Sequence, residues 1–286
     1  MSNALSRRRL LKTVGGAASA SVLLSSQQAS SAVPSEDTPP VALGLIGDRY
    51  HNADYIRVAL DKVFHDLHLP IKYTVSYDEI SARLLQRYRL LVILRDHMIW
   101  PNGYLMPNMY DYAAALERNR AWPKEQPERW ITDEQGKAIK DFVEAGGALY
   151  GLHNSSCLSL SSKDYREVMG GAFIVHPALR PFKVSVVNRD HPITRDVQDF
   201  MVNDEQHFIT YDRDPKYILL ESENTDGLTG SADGKDLGAK SVAGWAYDYG
   251  KGRVAFSACG HTLHALWEPE YLKFQKNAVR WLLRMS

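Results

Sequence analysis

Histidines that follow predicted strands are the residues of this sequence best suited to chemistry. The chain has ten histidines, and several follow closely on short apolar runs: His51, His97, His153 and His261. Ligands of an open α/β sheet bind outside the carboxyl ends of its parallel strands. We therefore expect these side chains to converge on one cleft, with Glu205, which follows the apolar run 200–202, as the acidic residue beside them.

A cluster of histidines and a carboxylate supports two kinds of chemistry. Such groups hold divalent metals, zinc or similar, and the candidate ligands are His51, His153, Glu205 and His261. The same groups also act without a metal, because a histidine with a pKa near neutrality exchanges protons with a substrate beside a glutamate. The sequence has no HExxH or paired-cysteine motif, so both alternatives stay open, and we expect no nucleotide cofactor.

The candidate residues divide into those expected to react and those expected to hold a substrate. The proposed catalytic residues are His153, Glu205 and His261. The proposed substrate-binding residues are His51, Asp96, Asn154, His207 and Trp267. His176 is also expected at the cleft because it ends the run 170–175, whereas His191 precedes a proline and is expected to hold a turn. Surface positions are expected for His65, His68 and His264.

The elements that must position these residues alternate between strand and helix. Apolar runs predict strands at 41–46, 71–75, 90–94 and 148–152, and helical spacing predicts helices at 55–67 and 133–145. This order predicts a parallel sheet with right-handed crossovers. Later strands are predicted at 183–187, 217–221, 242–247 and 253–258, with an exposed loop at 224–238 and a closing helix at 268–283. The aromatic-rich connection 95–130, with one short helix at 109–118, is expected to be a lid or binding loop.

The segment around His153 has the clearest local pattern. Gly146 and Gly147 end a helix, the strand 148–152 follows, and the strand runs directly into His153 and a polar turn. A strand that ends in a sharp turn before a helix is where α/β proteins hold a reactive side chain above the sheet. The residue here is histidine and Cys157 lies past the turn, so the nucleophile of a hydrolase or amidotransferase elbow is missing.

Short motifs between residues 41 and 284 have a specific order and spacing. They are the segments 142–153, 169–173, 176–177, 191–194, 204–205, 249–254 and 260–261. Together they resemble the ThuA-like (trehalose utilisation) family, a branch of the class I glutamine-amidotransferase-like superfamily. The resemblance implies an α/β, flavodoxin-like three-layer sandwich with a mostly parallel sheet. In that family an aromatic residue, typically tyrosine, lies two positions after the acidic pair, so His207 is a departure that adds a candidate ligand or proton donor.

The resemblance also implies a role in carbohydrate metabolism, with a small-molecule sugar as the substrate. ThuA-like proteins accompany sugar dehydrogenases that make 3-keto sugars, so we expect acid–base cleavage of 3-keto glycosides or related oxidised sugars, with metal assistance as an option. Amidotransferase activity is not expected, because His153 stands at the nucleophile position. Two alternatives stay open, which are a non-catalytic carbohydrate-binding accessory protein and a metal-dependent hydrolase.

The first residues predict export by the twin-arginine pathway. Residues 6–12 contain three arginines, an apolar stretch covers 13–24, and small residues precede a cleavage point ahead of Val33. We therefore expect a signal peptide at 1–32, a disordered linker at 33–40 and a ThuA-like domain at 41–286. The twin-arginine translocase is the expected partner, and the destination is the periplasm or the exterior. The apolar stretch is too short and polar to be a membrane span, so none is expected in the mature chain.

Charge and cysteine content limit the remaining classes of function. The 34 basic and 34 acidic residues balance, so no basic surface predicts binding to nucleic acid. The two cysteines, Cys157 and Cys259, lie after different predicted strands. They are either buried free thiols, which we favour, or one disulfide of an exported protein.

Overall fold

A computed structural model describes residues 39–101 and 127–285 of the chain. The signal peptide expected at 1–32, most of the linker and the helix expected at 109–118 lie outside these residues. Within the described ranges, none of the helices is both long enough and apolar enough to cross a membrane.

Strands and helices alternate in the first half of the chain, and strands dominate the second half. The strands are β1 (Ala42–Ile46), β2 (Ile71–Thr74), β3 (Leu90–Leu94), β4 (Met98–Ile99), β5 (Glu128–Arg129), β6 (Ala148–Leu152), β7 (Gly171–Val175), β8 (Arg180–Val186), β9 (Phe200–Asp204), β10 (Phe208–Tyr211), β11 (Ile218–Glu223), β12 (Gly230–Ala232), β13 (Lys235–Gly238), β14 (Lys240–Tyr249) and β15 (Gly252–Ser257). The α-helices are α1 (Ala53–Asp66), α2 (Ala82–Leu85), α3 (Asp133–Glu144), α4 (Lys163–Met169), α5 (Leu263–Leu266) and α6 (Pro269–Leu282). The strands and helices predicted within the described residues are therefore present, with ends shifted by a few residues.

Nine strands form one mixed sheet in the order β2-β1-β3-β6-β15-β14-β11-β8-β9. The strands from β2 to β15 pair in parallel, and those from β15 to β9 pair antiparallel. The parallel half, with helices packed on it, confirms the predicted α/β, flavodoxin-like fold class. The antiparallel half extends that sheet beyond what the early strand–helix alternation predicts.

The parallel strands end level with one another, and this alignment creates the functional edge. Ile46 pairs with Leu94 at the ends of β1 and β3, and Leu152 pairs with Ser257 at the ends of β6 and β15. All residues of β1, β3 and β6 are buried, as expected for central parallel strands covered on both faces. The polar residues that follow each strand therefore emerge side by side.

Local capping explains the helix that precedes β6. Thr132 accepts a hydrogen bond from the Gln135 backbone, and the Gln135 side chain accepts one from the Thr132 backbone, which makes a capping box. The helix ends at Glu144, Ala145 is its C-cap, and Gly146 follows with φ of +120°, a conformation that favours glycine. The chain then enters β6, which delivers His153 to the sheet edge.

The prediction of an exposed loop at 224–238 is wrong in part. Strands β12 and β13 form a hairpin within this range, and Asp233 and Gly234 at its turn have φ of +50° and +74°. Asp-Gly favours the two-residue type I′ turn, which requires positive φ at both positions. Asn224 at the start of the range is buried and donates a hydrogen bond to Gln206.

Gly252 lies at the start of β15, at the amino ends of the parallel strands. It offers a test of how closely the backbone packs there. A Cβ there would lie 2.0 Å from the Gly147 carbonyl oxygen and 2.2 Å from that of Val143. Both atoms belong to the backbone, so we expect Gly252→Ala to lower the free energy of unfolding by about 1–3 kcal/mol. Urea denaturation measures this. The neighbouring Lys251→Ala should stay within about 0.5 kcal/mol of wild type, and equal stability of both variants would contradict the packing.

Candidate active site

A cavity of about 370 Å³ opens at the carboxyl ends of the parallel strands. Its polar lining consists of His51, Asp96, Asn154, His176, Glu205, His207 and His261. These residues come from the ends of β1, β3, β6, β7, β9 and β15, so distant segments of sequence meet there. The predicted convergence of His51, His153, His261 and Glu205 at one sheet edge is confirmed.

The His/Glu cluster, consisting of His51, His153, Glu205 and His261, is the polar centre of this edge. The Nδ1 of His261 lies 3.0 Å from Oε2 of Glu205 and 3.1 Å from Nε2 of His51. The Nε2 of His153 lies 3.6 Å from the same Glu205 oxygen. One candidate ligand atom from each residue therefore lies within 4.8 Å of all the others.

Two of these imidazoles are oriented by contacts on their far side. The Nδ1 of His51 donates to Asp48 at 2.9 Å, and the Asp48 side chain is fully buried. The Nδ1 of His153 donates to the Ala258 carbonyl oxygen at 2.7 Å. In each ring the proton on Nδ1 leaves Nε2 as a lone pair that faces the His/Glu cluster.

Backbone geometry holds His153 and His261 in place. His153 has φ of +49°, in the left-handed region that non-glycine residues rarely occupy. The Gly260 position approaches it so closely that a Cβ there would lie 2.7 Å from the Cβ of His153. Asp204, fully buried, accepts from the backbone N–H groups of Gly260 and His261 at 2.7 and 3.0 Å. The Asp204 carboxylate therefore joins segment 260–261 to segment 204–205 and holds His261 close to Glu205.

The donor set and spacing of the His/Glu cluster fit a tetrahedral metal such as zinc. Ligand atoms about 2.0–2.1 Å from a tetrahedral ion lie about 3.3 Å from one another. Three of the six separations between these ligand atoms, 3.0, 3.1 and 3.6 Å, bracket that value, and all six are within 4.8 Å. The second contacts of His51 and His153, to a carboxylate and a backbone carbonyl, are those that metal-ligating histidines usually make.

Burial and pairing set the protonation of this cluster. Burial raises the pKa of Glu205, but the neighbouring imidazoles of His153 and His261 outweigh that effect and leave that pKa well below its ordinary value. The hydrogen bond to Glu205 raises the pKa of His261. Burial lowers the pKa of His153 and of His207, whose neighbouring histidines lower it further. Near neutral pH both of these rings are uncharged, with lone pairs available to a ligand.

Asp96 is the acid of the cavity whose ionisation changes near neutral pH. Burial and the charge of Asp48 raise its pKa to about 7. Burial also raises the pKa of Asp48, but hydrogen bonds from His51 and Asn154 more than offset it and leave a pKa of about 2. Two carboxyl groups with widely separated pKa values divide the roles of fixed charge and proton carrier.

Several sequence predictions are corrected by the structure. Trp267 does not line the cavity, because it is 38% exposed and lies near the Lys62 ammonium. His97 turns away and hydrogen-bonds to Ser161 at 2.6 Å, so it does not join the cleft. His191 caps a turn, as predicted, by accepting from the Ile193 backbone. Surface exposure is confirmed for His65, His68 and His264. Both cysteines are free thiols, as we favoured, but only Cys259 is buried, and Cys157 is partly buried.

Asp48 and Tyr50 are residues of the site that were not assigned a role from sequence. Asp48 orients His51, receives the Asn154 amide at 2.7 Å and sets the charge beside Asp96. Its position three residues before His51, directly after β1, was the available indication. Tyr50 lines the cavity, with its ring edge-on to Trp100 at 6.4 Å between centroids. Aromatic rings of this kind form surfaces on which sugar rings pack.

Comparison with known proteins places this geometry in a family. The sequence model of the family ThuA, described as trehalose utilisation, matches residues 51–282. The chain belongs to the ThuA family. Membership links this ThuA protein to a carbohydrate-related role, and the match spans the residues of the His/Glu cluster. No curated protein matches the sequence.

Solved structures agree with the family's fold. A protein described as ThuA-like from Bacteroides uniformis is 16% identical, with a TM-score of 0.60, and the match covers 88% of this chain and 94% of that one. A second, from Parabacteroides merdae, is 13% identical with a TM-score of 0.58 over 85% and 90% of the two chains. The β-galactosidase of Rahnella sp. R3 is 14% identical with a TM-score of 0.51, covering 86% of this chain but 32% of the enzyme. At these identities the likeness concerns the fold alone.

Proposed function

We propose that this ThuA protein is an exported enzyme that cleaves 3-keto glycosides or closely related oxidised sugars. The observation that carries the proposal is the arrangement of the His/Glu cluster and Asp96 around one cavity. The cluster provides charge stabilisation, and Asp96 provides proton transfer. The family's carbohydrate-related role supports a sugar as the substrate.

The proposed reaction is an elimination that the ketone makes possible. A ketone at C3 acidifies the hydrogen on C2, so a base removes that proton while negative charge develops on the ketone oxygen. The C1–O bond to the leaving group then breaks, a C1–C2 double bond forms, and the leaving oxygen takes up a proton. Such a reaction needs a base, an acid and stabilisation of an oxyanion, but no strong nucleophile.

Asp96 is the residue we assign to proton removal. A general base works best when its pKa lies near the working pH, and the pKa of Asp96 is about 7. Glu205 is a weaker base because its pKa lies well below the ordinary value, and His153 is weakened in the same way by burial. When no metal ion is bound, His261, whose pKa is raised by Glu205, is the proposed proton donor to the leaving oxygen.

The His/Glu cluster is the proposed metal site of the enzyme. His51, His153, His261 and Glu205 would hold a divalent ion such as zinc, which supplies polarisation of the ketone oxygen when bound. The cluster residues themselves orient the sugar and exclude water from one wall of the cavity. The cavity volume falls within the range of small-molecule sites, and Tyr50 offers a stacking surface for a sugar ring.

The substrate requirement gives a direct test of the reaction. We expect turnover of a 3-keto disaccharide, such as oxidised trehalose, and no turnover of the parent disaccharide, because the C2–H bond of the parent lacks an adjacent ketone. Product formation is followed by the absorbance of the conjugated enone. Deuterium at C2 of the keto sugar should slow the reaction.

Other outcomes distinguish the alternatives. Equal turnover of the keto sugar and its parent would exclude elimination and favour a metal-dependent hydrolase. Binding of both sugars without turnover of either would favour the carbohydrate-binding accessory protein.

A further inference from the structure

Five histidines lie around the carboxylate of Glu205, and they are too widely spaced for one metal ion. We infer that the cavity is a two-cation site in which Glu205 bridges the ions, the first held by His51, His153 and His261 and the second by His176 and His207. This inference extends the metal-binding part of the proposed function. It does not depend on which sugar the enzyme cleaves.

The first argument is geometric. Candidate ligand atoms of His176, Glu205 and His207 lie within 4.8 Å of one another, and so do those of the His/Glu cluster. Glu205 is the residue that belongs to both sets, and the sets do not merge within that distance. Two ligands of one ion, each about 2.0–2.2 Å from it, lie at most about 4.4 Å apart. One ion therefore cannot bind all six groups.

One oxygen of Glu205 lies between the two sets. Its Oε2 lies 3.0 Å from His261 Nδ1, 3.6 Å from His153 Nε2 and 3.7 Å from His176 Nε2. The last two distances are too long for hydrogen bonds and have room for an ion between the atoms. A carboxylate shared in this way is the usual bridge of paired ions, which lie about 3.5–4 Å apart.

His176 in the second histidine pair is held with its ligand atom directed toward Glu205. The Nδ1 of His176 donates to the Pro177 carbonyl oxygen at 2.9 Å, which leaves Nε2 as the lone pair facing Glu205. His207 is stacked between two rings, with centroids 3.9 Å from His153 and 5.4 Å from His176 and interplanar angles of 26° and 27°. Three imidazoles are therefore packed side by side before any ligand binds.

Buried imidazole nitrogens without a hydrogen-bond partner also support metal binding by these histidines. His153 and His207 are fully buried, and within the described ranges His153 Nε2 and His207 Nδ1 have no hydrogen-bond partner. Neutral imidazole lone pairs beside an ionised carboxylate are the preferred ligands of zinc and related ions.

The two ions would differ in affinity and in role. The first has four protein ligands, and the second has three, of which His176 is partly exposed. The second ion therefore binds more weakly and keeps positions open toward the cavity. A substrate with two neighbouring oxygens, such as a sugar ketone beside a hydroxyl group, would place one oxygen on each ion.

The metal count of the full-length protein tests this inference. Chelator-treated protein is titrated with Zn²⁺ by calorimetry and counted by native mass spectrometry. We expect two ions per chain in wild type, with the second released first by dilution, and one per chain in His176→Ala and in His207→Phe, which retains an aromatic ring. His264→Ala, at the exposed surface, is the matched control and should keep two. Loading with Mn²⁺ should give the exchange-coupled resonance of bridged ions in wild type and an uncoupled signal in His176→Ala.

The outcomes separate this site from the proposed reaction. One ion per chain in wild type, or two ions in both His176→Ala and His207→Phe, would overturn the two-cation site. No bound ion would overturn the metal part of the proposed function as well. Two ions with no turnover of a 3-keto glycoside would overturn the reaction and leave the two-cation site standing.

Discussion

Glu205→Gln should lower turnover of a 3-keto disaccharide by at least about 10²–10⁴-fold. Removing one group that stabilises developing charge typically costs at least about 10²-fold, and Glu205 provides the oxygen at which three histidines meet. Glutamine keeps the shape of the side chain but loses the negative charge that holds His261 protonated or a metal in place. His153→Ala should cost at least as much, because its Nε2 faces the same oxygen.

Steady-state kinetics and metal analysis check this prediction together. Glu223→Gln, on the partly exposed end of β11, is the matched control and should behave as wild type. We expect Glu205→Gln to stay folded, with an unchanged far-ultraviolet circular dichroism spectrum. Wild-type turnover in folded Glu205→Gln would remove the His/Glu cluster from the reaction.

Asp96→Asn should lower turnover but raise the stability of the folded protein at high pH. Turnover should fall by about 10²–10⁴-fold, because asparagine cannot accept the C2 proton. In wild type, turnover should rise with pH through about 7 as Asp96 ionises, and the variant should lack this rise. Metal content should be unchanged, because Asp96 does not belong to either ligand set.

Asp96→Asn should be more stable than the wild-type protein at high pH. The pKa of Asp96 is about 7 in the folded protein and 3.8 ordinarily, so the folded state binds the extra proton and loses stability as pH rises from about 4 to 7. Ionising this buried carboxyl costs up to about 4 kcal/mol above pH 7. Denaturation at pH 5 and pH 8 measures the effect. An equal stability difference between variant and wild type at both values would show that Asp96 is not a raised-pKa acid.

The opposite signs of these effects matter for function. A carboxyl group that destabilises the folded state at its working pH has a role other than stability. Asp48 and Asp96 have different tasks. Asp48 orients His51 and stays ionised, because its pKa is about 2, so the ionisation of Asp96 near pH 7 does not disturb His51. The site therefore combines a fixed hydrogen-bond network around the His/Glu cluster with a carboxyl group, Asp96, that gains and loses a proton near neutral pH.

Local sequence was sufficient for the elements that build the edge. The apolar run 148–152 forms β6, the glycine pair ends α3, and His153 stands at the turn as predicted. Strand ends of a parallel sheet meet at one edge, so the convergence of His51, His153 and His261 also followed from the order of the elements. These predictions succeeded because periodicity, glycine and strand direction act over short distances along the chain.

Only the tertiary structure decided which atoms of these residues face the cavity. The ring of His153 is oriented by Ala258, 105 residues away, and the pKa of Asp96 depends on Asp48, 48 residues away. His97 looks like His153 in sequence, but a contact with Ser161 turns it from the cleft. Sequence determined which residues reach the edge of the sheet, and packing between distant segments determined tautomer, burial and charge, because these properties depend on neighbours that no local pattern specifies.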